Sequence, residues 1–376
     1  MDGKTGGQAS CRRGHGPGKD NIGEYSMKYD VAAYVWPSYT GDEPRTRIFW
    51  PDGIGEWQSV KNAMGKFPGH TWPRKPVWGY VNEAESKVME MQIDQAVSHG
   101  VNVFIYDWYW YDRRPFLENC LNDGFLKAGN NNKMKFYIMW ANHNADYLWD
   151  VRNSHIDCMI WDGAVDFPEF KKITNRLINK YFLHPQYYRI EGKPVLSIFD
   201  TDTLVRGLGG VAETKAALDW MRNRAMEAGL PGVHFQYIMR KPADMDVIVE
   251  LGYDSMTHYQ FAMFTDIDRD YTEILKDVKK EWDSIDEEGY LPYYPSISLG
   301  WDNNPRFIDF KPGVTKNNTP ENIEKALQMA KEYSDSHAGP PLIIINSWNE
   351  WTETSYLQPD DLYGYGYLEA VRRTFL

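Results

Sequence analysis

Two glutamates lie three residues apart near the end of the chain, in the segment Asn-Ser-Trp-Asn-Glu350-Trp-Thr-Glu353. If the chain turns helically after Trp348, the two carboxylates share one face, whereas in an extended chain they point to opposite sides. A turn is favoured, because the apolar run before this segment has to end and Pro359 follows soon after it. Two carboxylates that converge on one cleft are the minimum equipment for cleaving a glycosidic bond. Glu350 and Glu353 are therefore the candidate catalytic residues.

The aromatic neighbours of the two glutamates favour this chemistry over a simple surface pair. Two solvated carboxylates at a helix N-terminus would be stabilised by the helix dipole without any catalytic role. Trp348 and Trp351, however, stand beside the glutamates. An apolar wall raises the pKa of a carboxyl group toward the range that suits an acid catalyst.

Polar and aromatic clusters also follow most of the other predicted strands. In a parallel barrel the carboxyl ends of the strands surround a single mouth, so side chains that are distant in sequence converge there. The candidate substrate-binding residues are Trp36, Asp107, Trp108, Trp140, Asn142, His143, Asn144, His258, Tyr259, Trp301, Asp302 and Trp351. Each one alone could simply end a strand, but a ring this rich in Trp and Asn is typical of a carbohydrate site.

The spacing of histidines and cysteines predicts no metal centre. His143 and His258 lack H-x-x-x-H spacing and a third ligand, so we expect them to hydrogen-bond to sugar hydroxyls. The three cysteines are far apart and odd in number, which predicts neither a disulfide framework nor a cysteine metal site. Two roles stay open for Asp107, namely substrate binding and pairing with a loop arginine such as Arg113. No cofactor is predicted.

Strands and helices alternate strictly along the chain, and this order predicts one α/β domain built as a (β/α)₈ TIM barrel with long aromatic-rich loops at its carboxyl face. The predicted strands are 31–35, 101–106, 134–139, 194–199, 233–238, 255–259, 294–299 and 342–345. The predicted helices begin after Asn82 and then span 115–128, 168–182, 211–228, 245–251, 271–288, 320–334 and 361–375. An open doubly wound sheet is the alternative, but the chain has no glycine-rich phosphate loop.

Composition sets limits on the partners. A formal net charge of −12 argues against nucleic acid or an anionic membrane as the main partner. The sequence has no apolar run long enough to span a bilayer. Aromatic residues make up 15% of the chain, more than packing alone requires, and their flat faces suit stacking on sugar rings. We expect a monomer that acts on a polysaccharide or an oligosaccharide.

The first residues differ in composition from the remainder. Residues 1–28 are rich in Gly, Lys and Arg and lack the apolar core of a signal peptide, so we predict a disordered extension. Residues 29–376 are then the catalytic barrel. The protein would be secreted or periplasmic if a leader has been removed, and cytoplasmic otherwise.

Several motifs together resemble a known family over nearly the whole length from Tyr29. They are Glu56-Trp57, Phe67-Pro-Gly-His70, Gly100-Val-Asn-Val-Phe-Ile-Tyr106 with Trp108-Tyr-Trp110, Trp140-Ala-Asn142, Tyr188-Arg-Ile-Glu-Gly-Lys-Pro194, Trp301-Asp-Asn303, Asn346-Ser-Trp-Asn-Glu350-Trp-Thr-Glu353, Tyr356-Leu-Gln-Pro-Asp360 and Tyr365-Gly-Tyr-Leu-Glu369. With them the chain resembles the glycoside hydrolase family 99-like, or WbsX-type, domain.

The resemblance implies endo-acting cleavage of an α-mannoside with retention. By that pattern Glu350 aligns with the carboxylate that deprotonates the 2-hydroxyl of the substrate, which then attacks the anomeric carbon. Glu353 aligns with the acid that protonates the leaving oxygen and later activates water. This route needs neither an enzyme nucleophile nor a metal. The chain has Thr352 where the mannosidases commonly have His, and its loops resemble the WbsX branch, whose members often accompany polysaccharide gene clusters.

Three functions follow as hypotheses. The first is a retaining glycoside hydrolase that acts on a polysaccharide or an oligosaccharide. The second is a glycosyltransferase of surface-polysaccharide assembly, which would need an activated sugar donor; the lack of a diphosphate-binding glycine loop or a basic cluster counts against it. The third is a barrel that binds glycans without catalysis.

Overall fold

The computed structural model describes residues 1, 3, 27–41, 43–240 and 243–376. Of the predicted extension, only residues 1, 3, 27 and 28 are therefore described. In the described part of the chain, the centre of the fold is a sheet with eight parallel strands. These are β1 (Asp30–Val35), β2 (Val103–Tyr111), β3 (Lys135–Trp140), β4 (Lys193–Ile198), β5 (His234–Ile238), β6 (Ser255–Thr257), β7 (Ser296–Ser298) and β8 (Leu342–Asn346).

The strands follow one another around a nearly closed barrel. Their order is β6-β5-β4-β3-β2-β1-β8-β7, and β1 joins the two ends of the chain because Ala33 is in register with both Phe104 and Ile345. Between β6 and β7, the backbone of Met256 bonds to Pro292 and Tyr294 at 2.9 Å. The predicted (β/α)₈ barrel is confirmed.

Helices surround the strands. They are α1 (Trp57–Asn62), α2 (Ser86–Ser98), α3 (Phe167–Leu177), α4 (Thr201–Leu208), α5 (Val211–Glu227), α6 (Met245–Leu251), α7 (Tyr271–Glu288), α8 (Pro320–Ser336) and α9 (Gly366–Phe375). Aspartates fix several of their first turns, since the side chains of Asp166, Asp200, Asp244 and Asp270 each accept a backbone N–H two or three residues ahead. Within the described residues, none of these helices is long and apolar enough to cross a membrane.

One predicted helix, 115–128, begins later than expected, because its first residues belong to a hairpin. Strand β2 runs on to Tyr111, and Arg114–Phe116 folds back along it as an antiparallel strand. Asp112 and Arg113 make the reversal with φ values of 53° and 62°, as a two-residue hairpin turn requires. Residues 115–128 then continue into a π-helical turn at Cys120–Phe125. The hairpin was not predicted, because Asp112-Arg113 lacks the glycine that usually marks such turns.

The carboxyl ends of the strands carry long connections. The one between β1 and β2 brings Trp50, Trp57 and Trp72 into the core, where all three are buried. Trp36, at the end of β1, packs edge-on against Trp50, with ring centroids 6.4 Å apart. These aromatic side chains give the loops a core of their own, so they form a fixed wall around the barrel mouth.

Candidate active site

Glu350 and Glu353 lie on one tight turn directly after β8. Asn349–Glu350 pairs antiparallel with Ser355–Tyr356, and the single helical turn Trp351–Glu353 connects the two. Ser347 fixes this reversal, because its hydroxyl accepts the Glu350 N–H at 2.8 Å and donates to the Ser355 carbonyl at 2.6 Å. The chain thus turns here, and both carboxylates end on the same side.

Both glutamates line a cleft of about 420 Å³ at the carboxyl end of the barrel. A cavity of this size is within the range of small-molecule sites. The other walls come from the ends of different strands and the loops that follow them, including Trp36, Asp107, Tyr109, His143 and Tyr259. The cleft therefore combines flat aromatic faces with buried carboxylates.

A single arginine joins the two glutamates. Arg306 lies on the turn Asn304–Arg306, which follows β7, and is 3% exposed. Its Nη1 donates to Glu353 at 2.7 Å and its Nη2 donates to Glu350 at 3.3 Å. Its Nε donates to Glu56 at 3.1 Å. One guanidinium thus contacts three buried carboxylates through three different nitrogens.

Glu56 is itself fully buried and held by several donors. One of its oxygens accepts from Arg306 and from the Thr352 hydroxyl, the latter at 2.9 Å. The other accepts from the Trp36 indole and, at 3.4 Å, from the Ser38 hydroxyl. Glu56 therefore ties the β1–β2 connection to the turn that carries the glutamate pair.

Burial and mutual repulsion keep the glutamate pair from ionising fully. Burial raises the pKa of Glu350 well above its ordinary value, and the charge of Glu353 raises it further. Burial also raises the pKa of Glu353, but the Arg306 guanidinium and the Gln260 amide favour its carboxylate. Because Arg306 contacts Glu353 at the shorter distance, Glu353 is the more readily ionised member in the empty cleft.

Asp107 is a third acid in the cleft. Tyr259 donates to it at 3.2 Å and lies 3.4 Å from Glu350. Burial raises the pKa of Asp107 well above its ordinary value, against the hydrogen bond from Tyr259. Asp107 is not paired with Arg113, the arginine named for its alternative role, because Arg113 pairs with Glu169 at 3.0 Å.

The structure brings part of the predicted substrate-binding ring to the cleft. Trp36, Asp107, His143, Asn144 and Tyr259 line it together with the two glutamates. His143 Nδ1 lies 2.8 Å from the Asn144 carbonyl, and burial lowers the pKa of this imidazole. His143 is thus expected to be neutral near pH 7.

Two predicted tryptophans lie outside the cleft because side chains alternate along a strand. Asp107 and Tyr109 of β2 line the cleft, so Trp108 between them lies on the opposite face. Its indole donates to Glu118 at 2.8 Å. Trp140 packs against Trp108 on that same face, with ring centroids 6.4 Å apart. Both are core residues between the sheet and the helices.

The remaining predicted residues support the loops around the cleft but do not line it. Asn142 exchanges hydrogen bonds with the Asp200 backbone, and His258 lies 2.9 Å from the Tyr293 hydroxyl. Trp301 is half-buried and packs against the core. Asp302 contacts His70 at 2.6 Å.

The tryptophans expected to flank the glutamates are also structural. Trp351 stacks on Tyr356 with ring centroids 3.9 Å apart. The Trp348 indole donates to Gln92 at 2.8 Å. The apolar surroundings of the glutamates come instead from residues at the ends of other strands, such as Trp36 and Tyr109.

Sequence reasoning missed Arg306 and assigned Glu56 no role beyond its motif. A signal for both existed, because buried carboxylates require a cation or hydrogen-bond donors. Arg306 follows the Trp301-Asp-Asn303 motif by only three residues. Among the residues that the structure describes, no group of three or more His, Cys, Asp or Glu side chains is placed to hold a metal ion.

Comparison with known proteins identifies the family. The family model described as "Glycosyltransferase WbsX" matches residues 31–371. The chain belongs to this family. It is 24% identical over 346 residues to the uncharacterized protein WxcX of two strains of Xanthomonas campestris pv. campestris, a match that covers 88% of this chain and 47% of WxcX. The chain thus spans about half the length of the curated relatives it matches.

Solved structures share the fold. A GH99 endo-α-mannosidase from Bacteroides thetaiotaomicron superposes with a TM-score of 0.60 at 16% identity, over 92% of this chain and 95% of the mannosidase. A glycoside hydrolase-like protein gives a TM-score of 0.61 at 15% identity, over 95% and 97%. The resemblance to a family 99-like, WbsX-type domain is confirmed, and the barrel is the fold of these glycoside hydrolases.

Proposed function

We propose that the chain is a glycoside hydrolase that cleaves glycosidic bonds in a polysaccharide or an oligosaccharide. The observation that carries this proposal is the pair Glu350 and Glu353, which reach one cleft and contact two nitrogens of the same guanidinium. Their raised pKa values let one carboxyl keep its proton while the other is ionised. An acid and a base side by side are what glycoside cleavage requires.

The proposed chemistry is retention through the 2-hydroxyl of the substrate. The ionised carboxylate removes the 2-hydroxyl proton, and that oxygen attacks the anomeric carbon as the bond to the leaving oxygen breaks. The protonated carboxyl gives its proton to the leaving oxygen. Water then opens the intermediate at the anomeric carbon, with the two proton transfers reversed, and the free sugar retains its configuration.

Two divisions of roles fit this chemistry. The family pattern makes Glu350 the base and Glu353 the acid. The shorter contact from Arg306 to Glu353, 2.7 Å against 3.3 Å, favours the opposite division in the empty cleft. Aryl glycosides with acidic leaving groups distinguish the two divisions of roles, because such a leaving group departs with little protonation. Only the variant that lacks the acid should recover turnover on them.

The test begins with a search for the substrate. The protein is incubated with a library of polysaccharides, and products are identified by mass spectrometry. On a substrate found in this way, Glu350→Gln and Glu353→Gln should each lower kcat by roughly 10²–10⁴-fold with the fold intact by circular dichroism. Glu273→Gln, on an exposed helix face, is the matched control. Turnover within a few-fold of wild type in either active-site variant would contradict the proposal.

Transfer to an acceptor sugar is the second candidate, because the family model is described as a glycosyltransferase. A nucleotide-sugar donor would need cations for its diphosphate. Both arginines among the described residues that line the cleft are already paired, Arg306 with carboxylates and Arg240 with Asp200 at 3.2 Å. Calorimetric titration with nucleotide sugars distinguishes transfer from hydrolysis, and a micromolar Kd would favour transfer.

A glycan-binding barrel without catalysis is the remaining alternative. It would bind the same saccharide equally well in wild type and in Glu350→Gln, and neither would form products. The burial of Glu350, Glu353 and Arg306 counts against it, because burying charged groups costs folding free energy, and binding a neutral saccharide does not require them.

A further inference from the structure

The contacts of Arg306 and Glu56 suggest a task that neither the family pattern nor the sequence assigns. We propose that Arg306 and Glu56 are positioning residues, which hold the Glu350 and Glu353 carboxylates in place and together set how many protons the pair carries. This inference rests on the proposed function, since it gives the pair its acid and its base.

Hydrogen bonds on two edges hold the Arg306 guanidinium in one orientation. Its planar fork directs Nη1 to Glu353 and Nη2 to Glu350, while Nε faces Glu56 on its other edge. Glu56 in turn is held by the Trp36 indole and the Thr352 hydroxyl. Arg306 therefore cannot rotate without losing hydrogen bonds on both edges, and the two carboxylates stay side by side.

The charges around the pair act in opposite directions. Arg306 is the single cation in contact with either carboxylate among the described residues. Glu56 contributes repulsion to both glutamates, and Asp107 adds repulsion toward Glu350. The neighbouring phenols of Tyr39, Tyr109 and Tyr259 are neutral, since burial raises the pKa of each well above its ordinary value.

Substitutions of the two positioning residues are therefore expected to shift the pKa values of Glu350 and Glu353 in opposite directions. Arg306→Gln removes the positive charge and should raise the pKa of both Glu350 and Glu353 by about 1–3 pH units. Glu56→Gln removes a negative charge and should lower both, by about 1 pH unit, because its remaining carbonyl can still accept from Arg306. If Arg306 and Glu56 only stabilised the fold, altering them would not shift the pKa values of the two glutamates upward in one variant and downward in the other.

The measurement is the ¹³C titration of glutamate side-chain carboxyls by NMR, with the signals assigned from Glu350→Gln and Glu353→Gln. Arg306→Lys keeps the charge but not the fork, and should give a smaller rise than Arg306→Gln. Arg74→Gln is the matched control: Arg74 is also 3% exposed but pairs with Asp360, so the two titrations should not change. Circular dichroism confirms that each variant is folded.

Titrations that stay unchanged in folded Arg306→Gln, or that move the same way in both variants, overturn the proposal. If Arg306→Gln does not fold, Arg306→Lys and Glu56→Gln still decide by the sign of their effects. The measurement needs no substrate, so it is independent of the proposed function. Opposite shifts together with full turnover in Glu350→Gln would leave the electrostatic pairing intact and reject the hydrolase.

Discussion

Glu83 is a buried acid close to the active-site turn. Its oxygens accept from the amides of Gln92, Asn349 and Gln358 at 2.8–3.0 Å. Asn349 precedes Glu350 and also exchanges hydrogen bonds with the Trp36 backbone. Burial raises the pKa of Glu83 from 4.5 to about 7, although these donors oppose the rise. Glu83 therefore changes charge near neutral pH at the base of the cleft wall.

The first prediction concerns stability against pH. The pKa of Glu83 is higher in the folded chain than in the unfolded chain, so its contribution to stability is complete below about pH 4.5 and is lost as pH rises through about 7. Each pH unit between the two values corresponds to about 1.4 kcal/mol, so on the order of 3 kcal/mol is lost in total. This loss is measured by urea unfolding of the wild type and Glu83→Gln between pH 5 and pH 8, which gives the unfolding free energy of each at every pH.

Glu83→Gln should show a shallower fall of the unfolding free energy over this range than wild type. Its absolute stability is expected to be lower at pH 5, because an amide places a donor against the amides that now donate to Glu83. Glu273→Gln, at an exposed position, should keep the wild-type slope. Equal slopes in wild type and Glu83→Gln would show that Glu83 does not titrate in this range.

At the scale of elements, the β1–β2 connection depends on a glycine. Gly55 has a φ of 60° and immediately precedes Glu56. A Cβ at this position would lie 1.8 Å from the Ser38 carbonyl oxygen. Only glycine allows the connection to approach the end of β1 this closely, and this approach places Glu56 against Arg306.

The second prediction tests this close approach. Gly55→Ala should lower the unfolding free energy by about 2–5 kcal/mol, from left-handed strain and steric overlap together. Gly69→Ala is the matched control in the same connection, because Gly69 has a φ of 82° but a Cβ there would meet no atom within 4 Å. It should lose only the strain, about 1–2 kcal/mol. Equal losses in urea unfolding would contradict the steric argument.

Which elements could be predicted depended on how local their signals are. The strand 342–345 is apolar at every position, and the structure has it at Leu342–Asn346 with all five residues buried. Strand β2 was harder, because its aromatic run extends past the sheet into a hairpin. Its face alternation, and not its composition, sends Asp107 to the cleft and Trp108 to the core. Sequence alone does not show which residue of a strand is the first to face inward.

At the scale of the molecule, β6 and β7 are joined by fewer backbone hydrogen bonds than the other neighbouring strands of the described barrel. Backbone hydrogen bonds through Met256 bridge the seam between them, whereas β1 and β8 pair over four residues. Backbone amides exchange fastest where few hydrogen bonds must break. The third prediction is therefore that the amides of Met256 and Tyr294 exchange faster than those of Ile343–Ile345, as measured by hydrogen–deuterium exchange with mass spectrometry. Uniform exchange rates would show a continuous barrel.

The site as a whole could be predicted only in outline. The glutamate pair is local in sequence, and the convergence of strand ends follows from the barrel. Arg306 and Glu56 are 250 positions apart and meet only in the folded chain. Their encounter depends on how two long loops pack, and no short-range pattern encodes it. The glutamate pair could therefore be predicted from the sequence, whereas its charged partners could be predicted only as the cation or hydrogen-bond donors that buried carboxylates require.

The seam between β6 and β7 also offers a way to test for a bound saccharide. Tyr259 and Gln260 follow β6 and contact Glu350 and Glu353, which follow β8, so the cleft spans both sides of the opening. A saccharide held there would touch both sides and delay deuterium uptake at Met256 through ordinary binding linkage. Uptake at this amide would report occupancy for inert glycan mimics as readily as for substrates, without any product to detect.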